Sequence, residues 1–157
     1  MFGILFTPVL IQASAMLADE GWFHRRRGLP RWERIGHPLD TLTTALCYGW
    51  LVSVSPQAPH ALAVYIGLAL FSCLFITKDE FIHAKVCSPT EGWLHSLLFV
   101  IHPVVLMAFG YVWRSAADAA HWVLRAQLLI TLAFATYQIW YWSVFCKPSS
   151  SPRLSAP

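Results

Sequence analysis

Charged residues are scarce in this chain: lysine, arginine, aspartate and glutamate together make up 12% of its 157 residues. That is about half of their usual share in soluble proteins. Hydrophobic residues account for 57% of the sequence, and the mean hydropathy is +0.52. The low charge argues against an ordinary soluble globular domain, because such a domain needs a charged surface. The composition instead predicts an integral membrane protein, and the length is enough for one domain.

The chain also lacks a C-x-x-C motif, a glycine-rich phosphate loop and an internal repeat. Without paired cysteines it is not a membrane thiol oxidoreductase, and a disulfide framework is not favoured. Cys47 and Cys73 lie in apolar runs, where a thiol usually behaves as a small hydrophobic group. Cys87, in a polar connection, is the one cysteine that we keep as an outside candidate for a metal ligand.

Five apolar segments alternate with polar connections. They are Phe2 to about Ala18, Leu42 to Val54, Ala61 to Thr77, Trp93 to Trp113 and Trp122 to Phe145. They predict an all-α fold, a polytopic membrane helical bundle of about five transmembrane helices in residues 1–146. Four transmembrane helices remain if the first segment lies on the membrane surface. The second segment is shorter than the ~20 residues that a full span needs. Residues 147–157, KPSSSPRLSAP, predict a disordered tail.

Lysine and arginine are concentrated in residues 19–40 and 78–92, the connections after the first and third segments. The positive-inside rule therefore predicts an outside N-terminus, with both connections and the C-terminus in the cytoplasm. These basic residues are expected to meet lipid headgroups, and a nucleic-acid partner is not favoured. No basic residue precedes the first segment, which favours a retained helix, although Ala13-Ser14-Ala15 leaves cleavage as a signal peptide open.

Acidic residues and histidines are gathered in or beside the same two connections. Residues three or four positions apart share a helix face, so most of the carboxylates there are expected to lie beside an imidazole. This spacing predicts a metal site at the cytoplasmic membrane face. Its candidate ligands are Glu20, His24, Glu33, His37, Glu80, His83, Glu91, His95 and, two turns deeper, His102. Surface ion pairing is the alternative for the first connection, and a hydrogen bond to a neighbouring helix is the alternative for His102.

Carboxylates and imidazoles without paired thiolates suit iron, manganese or zinc. Glu80 and His83 also have the Glu-x-x-His spacing of di-iron carboxylate proteins, although only one such copy is present. The favoured function is a non-haem iron or di-iron oxidoreductase of the hydroxylase, desaturase or oxygenase type. We expect it to act on a lipid or another apolar substrate and to draw on an electron-donor protein.

Alternative functions stay open at this point. In a zinc-dependent membrane hydrolase, a metal-bound water would attack the substrate and Asp79 would act as the catalytic base. A haem-binding or accessory subunit would use His95 and His102 as axial ligands. A metal transporter would collect cations with the same side chains, but the fourth segment has no further ionisable group between His102 and Gly110. The two connections could also serve only to dock a partner.

Overall fold

The structure of the protein is a computed structural model that describes residues 2–115 and 118–145. The described residues are almost entirely helical and include no strand, which confirms the all-α prediction. The helices are α1 (Phe2–Ala18), α2 (Arg25–Arg27), α3 (Arg31–Ser53), α4 (Ala61–Phe75), α5 (Glu80–Val86), α6 (Pro89–Arg114) and α7 (Asp118–Trp140). The predicted tail, residues 147–157, lies outside the described residues, as does Cys146.

Three irregular helical turns extend the longer helices. The π-helical segments Asp19–His24 and Tyr141–Phe145 follow α1 and α7, and the 3-10 segment Ile76–Asp79 connects α4 to α5. In a π-helix the backbone hydrogen bonds run from residue i to residue i+5, and such turns often occur at functional sites. All three turns lie at the end of the bundle that carries the polar connections.

Three described stretches are long and apolar enough to cross a membrane: Ala61–Val86, Pro89–Arg114 and His121–Phe145. They fit the prediction of a membrane protein, but the predicted bundle of five spanning helices is not confirmed. α1 has only 17 residues. α3 has 23 residues, but its first turns carry Arg31, Glu33 and Arg34, which shorten its apolar part.

The long helices run alternately up and down. α3 packs between α4 and α7, and α6 packs against α1 and α4. At one end of the bundle, indole groups join the helix ends: Trp50 Nε1 donates to the carbonyl of Ala61 at 3.0 Å, and Trp113 Nε1 donates to that of Val54 at 2.9 Å. The end of α1, the starts of α3 and α6, and the segment after α4 therefore all meet at the opposite end.

The apolar core lies towards the indole end. Tyr48 and Phe109 pack edge to face there with ring centroids 5.0 Å apart, and Leu51 is fully buried beside them. The Tyr65 hydroxyl donates to the carbonyl of Leu106 at 2.6 Å, which satisfies the polar tip of a buried ring. Aromatic and aliphatic packing thus fixes α3, α4 and α6, while the polar side chains collect at the other end.

Candidate metal centre

Four histidines from four different segments meet at the polar end of the bundle. His24 ends the π-helical segment after α1, His37 lies in α3, His83 lies in α5 and His95 lies in α6. Their ring centroids are separated by 4.7 Å (His24–His37), 6.0 Å (His37–His83), 4.3 Å (His83–His95) and 6.3 Å (His24–His95). We call these four residues the histidine cluster. It unites the two polar connections that are far apart in the sequence.

The π-helical segment explains how α1 contributes several groups at once. Asp19 and His24 are five residues apart, the spacing of one π-helical turn, while Glu20 lies four residues before the same histidine. Glycine at position 28 adopts a φ of 77°, which favours a residue without a Cβ, and the chain there turns into α3. The local backbone therefore brings Asp19, Glu20 and His24 to one side and returns the chain towards the cluster.

Carboxylates contact two of the imidazole rings, that of His95 at one nitrogen and that of His24 at both. Asp19 Oδ1 lies 3.1 Å from His95 Nε2, and its Oδ2 lies 3.3 Å from His24 Nε2. Glu20 Oε2 lies 3.4 Å from His24 Nδ1. The other oxygen of Glu20 accepts a hydrogen bond from Nε1 of Trp142, in the segment after α7. Carboxylates commonly orient metal-binding histidines in this way and fix the ring tautomer.

The remaining ring nitrogens of the cluster are buried and lack a hydrogen bond of acceptable geometry. They are Nε2 of His24, Nε2 of His37, both nitrogens of His83 and Nδ1 of His95. Buried polar atoms are nearly always hydrogen-bonded, so five such nitrogens at one place call for a further partner. Each of the four rings thus has at least one buried nitrogen without a hydrogen bond, although Nε2 of His24 lies within ion-pair distance of Asp19.

Arg27 is a buried cation shared by two acidic residues. Its Nη2 lies 2.7 Å from Glu33 Oε2 and 3.1 Å from Glu91 Oε1. Its Nη1 and Nε also donate, at 3.2 Å each, to Glu33 Oε1 and Glu91 Oε1. Glu33 is fully buried, and its oxygens approach Nε2 of His83 to 3.9 Å and Nε2 of His37 to 4.0 Å. Arg27 therefore joins the first polar connection to the start of α6.

The protonation of these groups follows from their neighbours. Burial opposes the charge of Asp19, but the hydrogen bond with His95 and the nearby ring of His24 keep the pKa of Asp19 below its usual value. Burial also opposes the charge of His24, yet Glu20 and Asp19 raise its pKa. For His37, burial and the adjacent histidines lower the pKa well below 6.5, so the ring is neutral and can bind a metal.

Negative charge exceeds positive charge at the cluster. Four buried carboxylates (Asp19, Glu20, Glu33 and Glu91) face one buried guanidinium, that of Arg27, an excess of three negative charges when the histidines are neutral. Buried charges are stable only when they are paired or bind a metal ion. A protonated His24 would offset one of the three charges. One divalent cation would offset the other two.

The donor atoms are also close enough to share ions. Three overlapping groups have ligand atoms within 4.8 Å of one another: His24, Glu33 and His37; Asp19, His24, Glu91 and His95; and His83, Cys87 and His95. These groups hold eight different residues, whereas a single zinc or iron ion takes about four to six ligands. The residues present therefore fit a metal centre with nitrogen and oxygen ligands, with the thiol of Cys87 as a further candidate at its edge.

The structure brings together seven of the nine ligands predicted from the sequence. They are Glu20, His24, Glu33, His37, His83, Glu91 and His95. Glu80 is not among them, because its side chain is exposed on α5. His102 lies deeper in α6, below the cluster. The side chain of Asp79, the predicted catalytic base, lies outside the described part of the chain.

Replacement of His102 with leucine should lower stability but leave the metal content unchanged. Both of its ring nitrogens already have partners, Gln12 Nε2 at 3.2 Å and Ser72 Oγ at 3.0 Å. Loss of these buried hydrogen bonds should reduce the free energy of unfolding by about 1–3 kcal/mol. Thermal unfolding in detergent and elemental analysis would measure the two effects. His121→Leu, at an exposed site, is the control. Loss of metal from a folded His102→Leu variant would instead make His102 a ligand.

Sequence reasoning misses three residues of the site. Asp19 has no histidine three or four residues after it, and its partner His24 lies at the spacing of five that a π-helix allows. Arg27 is one of five arginines between positions 25 and 34, and its position directly before Gly28 gives only a weak signal of burial. Trp142 lies far along the chain, and no sequence signal connects it to the first polar connection.

Comparison of this chain with protein-family models, with curated proteins and with solved structures gave no match. Its function has to be inferred from the chemistry of the site.

Proposed function

We propose that this chain is an integral-membrane metalloenzyme that binds iron at the histidine cluster and oxidises a lipid or another apolar substrate. The observation that carries the proposal is the set of buried imidazole nitrogens that lack hydrogen bonds and converge beside four carboxylates. Such a set of donors is what a metal ion requires, and an empty polar core of this kind would destabilise the fold. From the distribution of lysine and arginine, we place this end of the bundle at the cytoplasmic face.

Iron is favoured by the kind and the number of donors. Imidazole and carboxylate suit iron, manganese and zinc. A structural zinc site, however, has four protein ligands and no open coordination position. Helical di-iron proteins draw carboxylates and histidines from several facing helices, as this cluster does. Bound iron would supply the electron-transfer and oxygen chemistry that no amino-acid side chain provides.

The protein side chains have separate tasks in this proposal. His37, His83 and His95 present ring nitrogens, and Asp19 orients the ring of His95 through its hydrogen bond. Trp142 fixes one oxygen of Glu20. Arg27 compensates part of the negative charge, so that the site need not be neutralised by metal alone.

Elemental analysis of the purified protein, combined with an oxygen-uptake assay, tests the proposal. We expect about two iron ions per chain. We also expect oxygen uptake that requires a reductant and an apolar substrate in the same micelle or nanodisc. Zinc at full occupancy, with substrate turnover in the absence of oxygen, would indicate a zinc-dependent hydrolase instead. A Soret band would identify a haem protein, and absence of any bound metal after reconstitution would overturn the proposal.

A further inference from the structure

An apolar cavity of about 340 Å³ lies beside the pocket that contains the histidine cluster. α1 and α7 form its two sides, with Val9, Ala13, Ile130 and Phe134 in its lining. Tyr48 of α3 and Val105 of α6 line it as well. Its volume is at the lower end of the range for small-molecule sites, and its apolar walls are typical of them.

The cavity and the metal-site pocket share part of their walls. Gln12, Met16, Thr41 and Phe134 line both spaces. The pocket on the other side of these four residues is lined by all four members of the histidine cluster. A molecule in the apolar cavity would therefore have one end directly beside the candidate metal centre.

The cavity opens sideways, between α1 and α7. α1 packs mainly against α6, and α7 packs mainly against α3, so the two sides are held apart. Leu10, Leu17 and Ile130, which line the cavity, are 67%, 66% and 63% exposed. Ile130 belongs to the apolar stretch His121–Phe145, which is long enough to span a membrane. The opening therefore faces the hydrocarbon region in which lipid chains lie.

One buried polar atom between the two spaces is available to accept a hydrogen bond. Gln12 Oε1 has no hydrogen-bond partner, whereas Gln12 Nε2 is bonded to His102. A carbonyl oxygen can only accept, so its natural partner is a hydrogen-bond donor such as a hydroxyl group. This atom lies at the point where the apolar walls end and the cluster begins.

We propose that this cavity binds the alkyl chain of a neutral single-chain lipid, with a terminal hydroxyl group placed between Gln12 and the histidine cluster. The inference rests on the proposed function, because it takes the lipid to be the substrate of the proposed metal centre. One chain fits better than two, because the cavity is at the lower end of the size range of small-molecule sites. The chain enters from the bilayer, so the substrate never has to leave the membrane.

Photo-crosslinking with a long-chain fatty alcohol that carries a mid-chain diazirine would test this site. Peptide mass spectrometry should find the label on residues 9–17 and 127–134, and an excess of unlabelled fatty alcohol should remove it. Ala13→Trp fills the cavity and should abolish the competed labelling. Ser14→Trp, one position along the same helix and outside the lining, should retain it. If Ala13→Trp does not fold, Ile130→Trp takes its place and should likewise abolish the competed labelling. The competition in the wild type tests the site without any variant.

Labelling that excess alcohol does not reduce, or that covers the exposed faces of all helices equally, would overturn the inference. So would competed labelling that survives in a folded Ala13→Trp variant. Metal analysis of the same samples keeps the two proposals separate. Competed labelling in a protein that binds no metal would overturn the proposed function alone, and full metal content without competed labelling would overturn the cavity site alone.

Discussion

Replacing His95 with alanine should remove the bound metal, whereas replacing Glu80 with alanine should not. His95 Nδ1 is buried without a hydrogen bond, while its Nε2 is held by Asp19 at 3.1 Å, so the ring is aligned to offer one nitrogen. The partners of metal ligands already affect affinity by about 10–100-fold, and loss of a ligand itself should exceed that range. Metal titration of the apoprotein in detergent, followed by elemental analysis, measures the change.

Glu80→Ala is the matched control because sequence spacing predicts Glu80 as a ligand, while the structure leaves its side chain exposed. Circular dichroism and the elution volume of each variant would show that the helices are intact. Equal metal content in a folded His95→Ala variant and in the wild type would contradict the proposed centre. Loss of metal in Glu80→Ala would mean that α5 is turned differently from its position here.

Replacing Arg27 with methionine should strongly destabilise the fold. Methionine has similar length, but it removes the cation that lies 2.7 Å from Glu33 and 3.1 Å from Glu91, and it leaves two buried carboxylates uncompensated. Removal of one partner of a buried ion pair reduces the free energy of unfolding by about 3–5 kcal/mol. For a membrane protein this size of loss should appear as low yield and a large fall in the unfolding temperature in detergent.

Arg26→Met provides the comparison. Arg26 is the preceding residue and is exposed, with its guanidinium 3.4 Å from the ring centroid of Trp22. An exposed cation–π contact contributes about 0.5–1 kcal/mol, so this variant should remain close to the wild type. A normal unfolding temperature for Arg27→Met would contradict the buried arrangement, and a double variant that also carries Glu33→Gln should recover part of the lost stability.

The sequence predicts the candidate site where local spacing and membrane topology decide the outcome. Glu20 and His24, or Glu91 and His95, are four residues apart, and a helix must place such residues on one face. The two polar connections both follow helices that run towards the same end of the bundle, so the number of apolar segments between them is enough to predict that they meet. The proximity of residues such as His37 and His83 follows from that topology.

The same reasoning reaches its limit where the direction of a side chain depends on packing. Glu80 and His83 are three residues apart, which leaves about 60° between them around the helix. That angle lets His83 point inward while Glu80 faces outward on α5. Asp19 depends on a π-helical turn, and the contact between Trp142 and Glu20 depends on how α7 docks. These features arise from tertiary structure and leave no local pattern.

The wide separation of the cluster residues along the chain determines when the centre can be assembled. His24 follows the first long helix, His95 belongs to the fourth, and Trp142, which fixes Glu20, follows the last. A nascent chain that has inserted only its first helices would expose single histidines with low affinity for any ion. If the cluster binds metal as proposed, insertion of every helix would come first and uptake of the metal last.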